Sequence, residues 1–160
     1  MQKTISSKLA MVLAALLLEP TFASAKPKIE AHTKAINIGG DNFVSIYGDK
    51  FESDKKYISG GEINKIDKIL GAQDEQAFKT YREGDFNLKI PLKNGKYDIE
   101  FLFAEPNETQ IDKRIFDVIV ENQVRIKNLD ILKSRDGRPH SALTRTINNV
   151  DINEIGRAHV

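Results

Sequence analysis

The loop between Phe103 and Ile115 carries residue types that can do chemistry. Pro106-Asn107-Glu108-Thr109 and the polar run to Lys113 separate two apolar segments, Phe101–Phe103 and Ile115–Val120. An amide, a carboxylate and a hydroxyl in such a loop can bond a polar ligand, and loops on a rigid scaffold are where binding groups concentrate. Catalytic patterns are absent. Glycoside hydrolysis needs two carboxylates at a set separation. With 23 acidic residues in the chain some pair meets that by chance, so their number decides nothing. No Ser/His/Asp order and no Gly-x-x-x-x-Gly-Lys loop occurs. The chain has no Cys, which removes thiolate nucleophiles and Cys-ligated zinc. Its histidines, His32, His140 and His159, are not at metal-ligand spacing. No metal, no cofactor and no enzymatic activity are expected of this segment. Asn107-Glu108-Thr109 fits a glycosylation acceptor but reads as incidental. Asp117, set among apolar residues, reads as structural and needs hydrogen-bond partners if buried.

The elements that must position this loop begin after a leader. Lys3 and Lys8 precede an apolar run, Leu9–Leu18, then Pro20 and Ala23-Ser24-Ala25. This is the pattern of a secretory signal peptide cleaved after Ala25. The run is shorter than the roughly 20 residues of a membrane span. A secreted or periplasmic location is expected, with no membrane association after cleavage. Without Lys3, Lys8 and Glu19, the 24 basic and 23 acidic residues of the whole chain become 22 of each. A balanced chain gives no reason to expect nucleic acid as a partner. With no disulfide available, the fold must be held by its own core.

Residues 26–34 read as a flexible lead-in. Ala35–Ile38 reads as a short strand stopped by Gly39-Gly40, and Asp41–Asp54 as irregular strands and loops. Tyr57-Ile58-Ser59-Gly60-Gly61 reads as a Gly-terminated turn. The spacing of Ile63, Ile66 and Leu70 favours a short helix. Asp74–Glu83 stays open between helix and strand. Phe86, Leu88, Ile90 and Leu92 alternate with polar residues and Pro91, as do Tyr97, Ile99, Phe101 and Phe103 with theirs, which predicts two half-buried strands. Asn94-Gly95 between them predicts a hairpin in which both central residues take φ > 0. Ile115–Val120 should be a central strand, Glu121–Gln123 a turn, and Val124–Leu132 another strand. Ser134–Pro139 reads as a loop and Leu143–Ile152 as a last strand. The class expected is all-β, an antiparallel β-sandwich with one short helix. Residues 154–160 break the strand pattern. Codons able to encode Ile155–Val160 spell a string resembling a sequencing adapter, so the tail is expected to be foreign to a natural protein that continues past Glu154.

Several blocks in order resemble the malectin-like carbohydrate-binding domain, a galactose-binding-like jelly roll. They are Ile36-Asn37-Ile38-Gly39-Gly40, Tyr57-Ile58-Ser59-Gly60-Gly61, Thr80-Tyr81-Arg82, Ile90-Pro91-Leu92-Lys93-Asn94-Gly95-Lys96-Tyr97, Phe103-Ala104-Glu105, Arg114-Ile115-Phe116-Asp117-Val118 and Leu129-Asp130-Ile131. The resemblance implies a domain over residues 35–153, incomplete at its C-terminus, that binds an oligo- or polysaccharide without catalysis. It also implies an accessory role beside an attached glycoside hydrolase domain. By resemblance the binding residues are Tyr57, Arg82, Glu83, Glu105, Asn107 and Glu108. Tyr57 keeps the aromatic of the family's first binding position, as a sugar platform or as a half-buried Tyr in a Gly turn. Glu83, Asn107 and Glu108 stand where animal relatives carry aromatics. Arg82 and Glu105 suit either ligand contact or a structural ion pair bracing loop ends. The alternative is a structural or protein-interaction sandwich that has lost its sugar site.

Overall fold

The structure, a computed structural model, describes residues 6–7, 10–14, 33–107, 109–153 and 155–159. Its strands are β1 (Ser6–Ser7), β2 (Ala10–Ala14), β3 (Lys34–Asn37), β4 (Phe43–Val44), β5 (Lys50–Ser53), β6 (Ile58–Lys65), β7 (Thr80–Pro91), β8 (Gly95–Ala104), β9 (Phe116–Val120), β10 (Gln123–Leu129), β11 (Ala142–Ile152) and β12 (Ile155–His159). They form two six-stranded sheets. One runs β1-β7-β12-β9-β10, with β6 also paired to β7; the other runs β11-β8-β2-β3-β5-β4. All pairings between these strands are antiparallel except β3 with β5.

Alternation explains the packing. Phe86, Leu88 and Ile90 of β7 and Phe116, Val118 and Val120 of β9 face Tyr97, Ile99, Phe101 and Phe103 of β8 across one core. Phe101 and Phe103 stack at 5.9 Å, and Phe116 meets Phe103 edge-on at 5.8 Å. Burying an aromatic side chain of this size contributes about 2–3 kcal/mol. The other face of the second sheet is also covered. There Ala35, Phe51, Leu102 and Ala104 pack under Ile66, Ile69, Ala77 and Phe78. The segment 66–78 is thus strapped across the sheet. Leu70 N–H donates to the His140 carbonyl (2.7 Å), and Ala142 N–H to the Leu70 carbonyl (2.8 Å).

Three expectations are corrected. No ladder joins β7 to β8; they lie in different sheets, so Leu92–Asn94 is an arch over the core. Neither Asn94 nor Gly95 has a positive φ. The physical reason is that the two apolar faces meet across the core rather than side by side in one sheet. The two-residue turn with both φ positive is Glu121 (51°) and Asn122 (60°), joining β9 to β10. The helix foreseen from Ile63, Ile66 and Leu70 is not formed. Ile63 lies on β6, and the extended chain buries Ile66 (5 % exposed) while leaving Leu70 outside (45 %). The helical content is three 3-10 turns, Asp54–Lys56, Glu75–Phe78 and Lys133–Arg135, in place of one short helix. Asp117 is not sealed in the core; its Oδ1 accepts the Asn128 N–H at 2.7 Å near the surface.

Much of the leader lies outside the described residues, but Ala10–Ala14 within it forms an interior strand between β3 and β8. Ile155–His159, expected to break the strand pattern, pairs with β7 and β9. Among the described residues no helix is long and apolar enough to cross a membrane.

Candidate functional site

The five described candidate residues fall into separate places. Tyr57 sits just before β6. Its hydroxyl accepts from Lys34 Nζ (2.8 Å) and donates to Glu52 Oε2 (2.5 Å), and Lys34 Nζ lies 4.5 Å from the ring centre. Burial opposes the Lys34 charge, but the bonds to Tyr57 and the attraction of Glu52 outweigh it and raise its pKa above 10.5. The Tyr57 hydrogen bond, helped by Lys34, holds the Glu52 carboxyl below its usual range. The ring is therefore engaged by neighbours on the second sheet. The Tyr57 carbonyl accepts the Lys89 N–H. Six residues separate Lys89 from Glu83 along β7, about 20 Å at about 3.3 Å per residue. The structure does not bring Tyr57 together with Glu83, Glu105 and Asn107.

Arg82 turns to a buried partner that the sequence did not single out. Its Nε donates to Asp54 Oδ2 at 2.7 Å, and one terminal nitrogen donates to the carbonyls of Gly60 and Gly61. Asp54 is 1 % exposed, and the same Oδ2 accepts the Gly39 N–H at 2.7 Å. The Gly60–Gly61 bulge of β6 and the Gly39 turn are tied by this one ion pair, which makes Arg82 a brace.

Glu83, Glu105 and Asn107 do converge, around Arg114. That guanidinium donates to Glu105 Oε1 (2.9 Å) and Glu83 Oε1 (3.1 Å). Glu105 is 2 % exposed and also accepts the Asn107 N–H at 2.9 Å. A carboxylate so deeply placed needs a paired charge, and Arg114 supplies it from the far end of the loop. The Asn107 amide remains exposed, with a long contact of 3.5 Å to the Tyr81 hydroxyl. Burial raises the Tyr81 pKa above 10, against the lowering effect of the Asn107 amide. Glu108 lies outside the described residues.

Beside this cluster opens a cleft of about 360 Å³, formed by residues 65–68, Leu70, Pro106, Asn107 and His140. Its walls are knit through the backbone: His140 N–H donates to the Glu105 carbonyl (2.8 Å), and Leu70 N–H to the His140 carbonyl. Lys65, Lys68, Leu70 and His140 were not foreseen as site residues. The spacing of Leu70 from Ile63 and Ile66 points to a helix face, and a lone His in the sequence points to no particular site. A signal for Arg114 was present, since it closes the polar loop directly before an apolar strand. Among the described residues no cluster of His, Asp or Glu could hold a metal ion.

Two sheets packed face to face over a shared core, with a cleft walled by loops, define the class as a β-sandwich domain. The sequence matches the Malectin domain over residues 32–155, and the chain belongs to that family. It is 28% identical over 137 residues to Malectin-A of Xenopus laevis, covering 81% of this chain and 49% of that protein. It is 30% identical over 105 residues to Malectin of Homo sapiens, covering 61% and 36%. The chain thus spans about half the length, or less, of these curated relatives. Among solved structures, that of the plant receptor-like kinase ANX1 superposes with a TM-score of 0.68 at 15% identity, covering 78% of this chain and 41% of that one. The ANXUR1 extracellular domain from Arabidopsis thaliana gives 0.62 at 14%, covering 91% and 47%. These likenesses concern the fold.

Proposed function

We propose that this chain binds an oligo- or polysaccharide through the cleft at residues 65–68, Leu70, Pro106–Asn107 and His140. We further propose that it serves a secreted or periplasmic protein, as an accessory domain beside a glycoside hydrolase. The observation carrying this reading is the preorganised rim. Arg114 locks Glu83 and Glu105 and thereby fixes the loop that presents Asn107, while Leu70 offers an exposed apolar surface. Sugars are recognised by such pairings of an apolar face with fixed polar groups. Glu83 and Glu105 act through the loop they hold, Arg82 braces the turn behind, and Tyr57 stands apart.

Affinity electrophoresis against a panel of polysaccharides tests this. Retardation by at least one polysaccharide is expected, weakened about tenfold in Kd by Asn107→Ala combined with Leu70→Ala, and unaffected by Tyr57→Ala. Failure of every polysaccharide to retard the folded protein sinks the reading. A second reading, a protein-interaction sandwich, draws on Val44, Ile46 and Tyr47, which are more than 60% exposed along one turn. Apolar side chains grouped in that way mark contact surfaces. It would be favoured if their substitution by Ser abolished capture of a defined partner while sugar binding was absent.

A further inference from the structure

We propose that the cleft selects an anionic saccharide, one carrying a carboxylate or sulfate, and that Lys65 and Lys68 provide the selecting charge. This rests on the carbohydrate reading above and specifies its ligand class. Three observations support it.

Lys65 ends β6, and Lys68 follows three residues later on the same wall. Both are exposed, and neither ammonium has an ion-pair or hydrogen-bond partner among the described residues. Asp67 is the single acid on the described lining and forms no ion pair with either lysine. Behind the rim, Arg114 cancels one of the two carboxylate charges of Glu83 and Glu105 and holds both side chains toward itself.

His140 adds a third polar group. Its backbone is held in the left-handed region (φ 56°) by the bonds to Glu105 and Leu70. Its Nδ1 is buried with no hydrogen-bond partner among the described residues. A non-glycine residue fixed at positive φ is strained, and such strain collects at functional sites. The cleft therefore combines two exposed ammonium groups, an imidazole, the Asn107 amide and the apolar Leu70 surface. A neutral sugar uses the amide and the apolar face. An anionic one also uses the lysines, against the single opposing lining carboxylate of Asp67.

The test uses the full chain in affinity electrophoresis. The probes are a panel of uronic-acid polysaccharides, the same polymers after reduction of their carboxyls to alcohols, a sulfated dextran, and neutral glucans. The expected result is retardation by at least one anionic polymer, lost on carboxyl reduction or desulfation. Lys65→Gln with Lys68→Gln should weaken it about tenfold, the scale of two exposed ion pairs. His140→Asn, which keeps a side chain tolerant of positive φ, should weaken it further. Binding should also fall steeply as salt rises, since exposed charges are screened. Response to the uronate polymers or to the sulfated dextran identifies which anion is read. Equal retardation by acidic and reduced polymers, or retardation by the acidic polymer left unchanged by the double lysine substitution, overturns the proposal and leaves carbohydrate binding standing. No retardation by any polymer overturns both.

Discussion

At the residue scale, charge placement separates Arg114 and Glu100 from the rest. Arg114 is the single described cation bonded to both Glu83 and Glu105. Arg114→Ala leaves Glu105 buried without it, and breaking a buried pair in this way costs about 3–5 kcal/mol. Urea denaturation should show that loss, and Arg114→Ala with Glu105→Gln should recover part of it. The Glu100 carboxyl, on β8, has no ion pair or hydrogen bond among the described residues. Burial, then the Asp49 carboxylate, raises its pKa above the ordinary 4.5. A carboxyl raised in the folded state gives its full stability while protonated, below the ordinary value, and loses it as pH rises through the raised one. Glu100→Gln should therefore raise Tm at about pH 7 and leave it unchanged at about pH 3. A Tm gain of the same size at both pH values would show that ionisation is not the cause. The sequence displayed these carboxylates but not their partners. Arg82 with Asp54, and Glu105 with Arg114, are separated by 28 and 9 positions in the chain. Which acid meets which arginine is set by the sandwich and not by local spacing.

At the element scale, two glycines distinguish turn types that look alike in sequence. Gly39 has φ +74°, and an added Cβ would lie 2.6 Å from the Tyr81 carbonyl oxygen. Gly95 follows the Asn that suggested a hairpin, yet its φ is not positive, and an added Cβ meets only Tyr97 Cε2 at 3.7 Å. Gly39→Ala should cost about 1–3 kcal/mol through left-handed strain and the clash, whereas Gly95→Ala should stay within about 0.5 kcal/mol. Denaturation midpoints of the two variants check this; a large loss at Gly95 would restore the hairpin. The alternation of Phe86–Ile90 and of Tyr97–Phe103 made both strands legible, because period two survives in either arrangement. It did not say whether they pair side by side or stack face to face. The second core under residues 66–78 was illegible for a related reason. Leu102 and Ala104 fall on the face opposite Phe101 and Phe103, so a strand buried on both sides reads only as a run of apolar residues. The strap that covers them has no periodicity of its own, and the candidate cleft lies at its end.

At the scale of the whole molecule, β2 is in tension with the leader pattern. Ala10–Ala14 pairs with β3 through Ala10↔Asn37 to Leu13↔Lys34, and with β8 through Met11↔Phe101 to Ala14↔Asp98. Removal of residues 1–25, as a cleaved signal peptide requires, would take this strand from the interior of the second sheet. The backbone groups of β3 and β8 that face it would lose their partners. Each buried group left unpaired costs about 1–3 kcal/mol, and open strand edges template pairing with other chains. A chain beginning at Lys26 should therefore show faster amide exchange over Lys34–Asn37 and Asp98–Phe101 than the full chain. It should also associate with rising concentration in light scattering. Addition of a synthetic peptide spanning Leu9–Ala15 should slow that exchange and reduce the association, because it restores an antiparallel strand to both edges. If the shortened chain stays monomeric and equally protected, β2 contributes nothing to the sheet. The two edges would then have to close on each other, shifting the whole β8 and β11 pair toward β3. That shift would move the Glu105 loop relative to the segment 66–78, so the same exchange experiment also reports whether the sugar cleft keeps its walls.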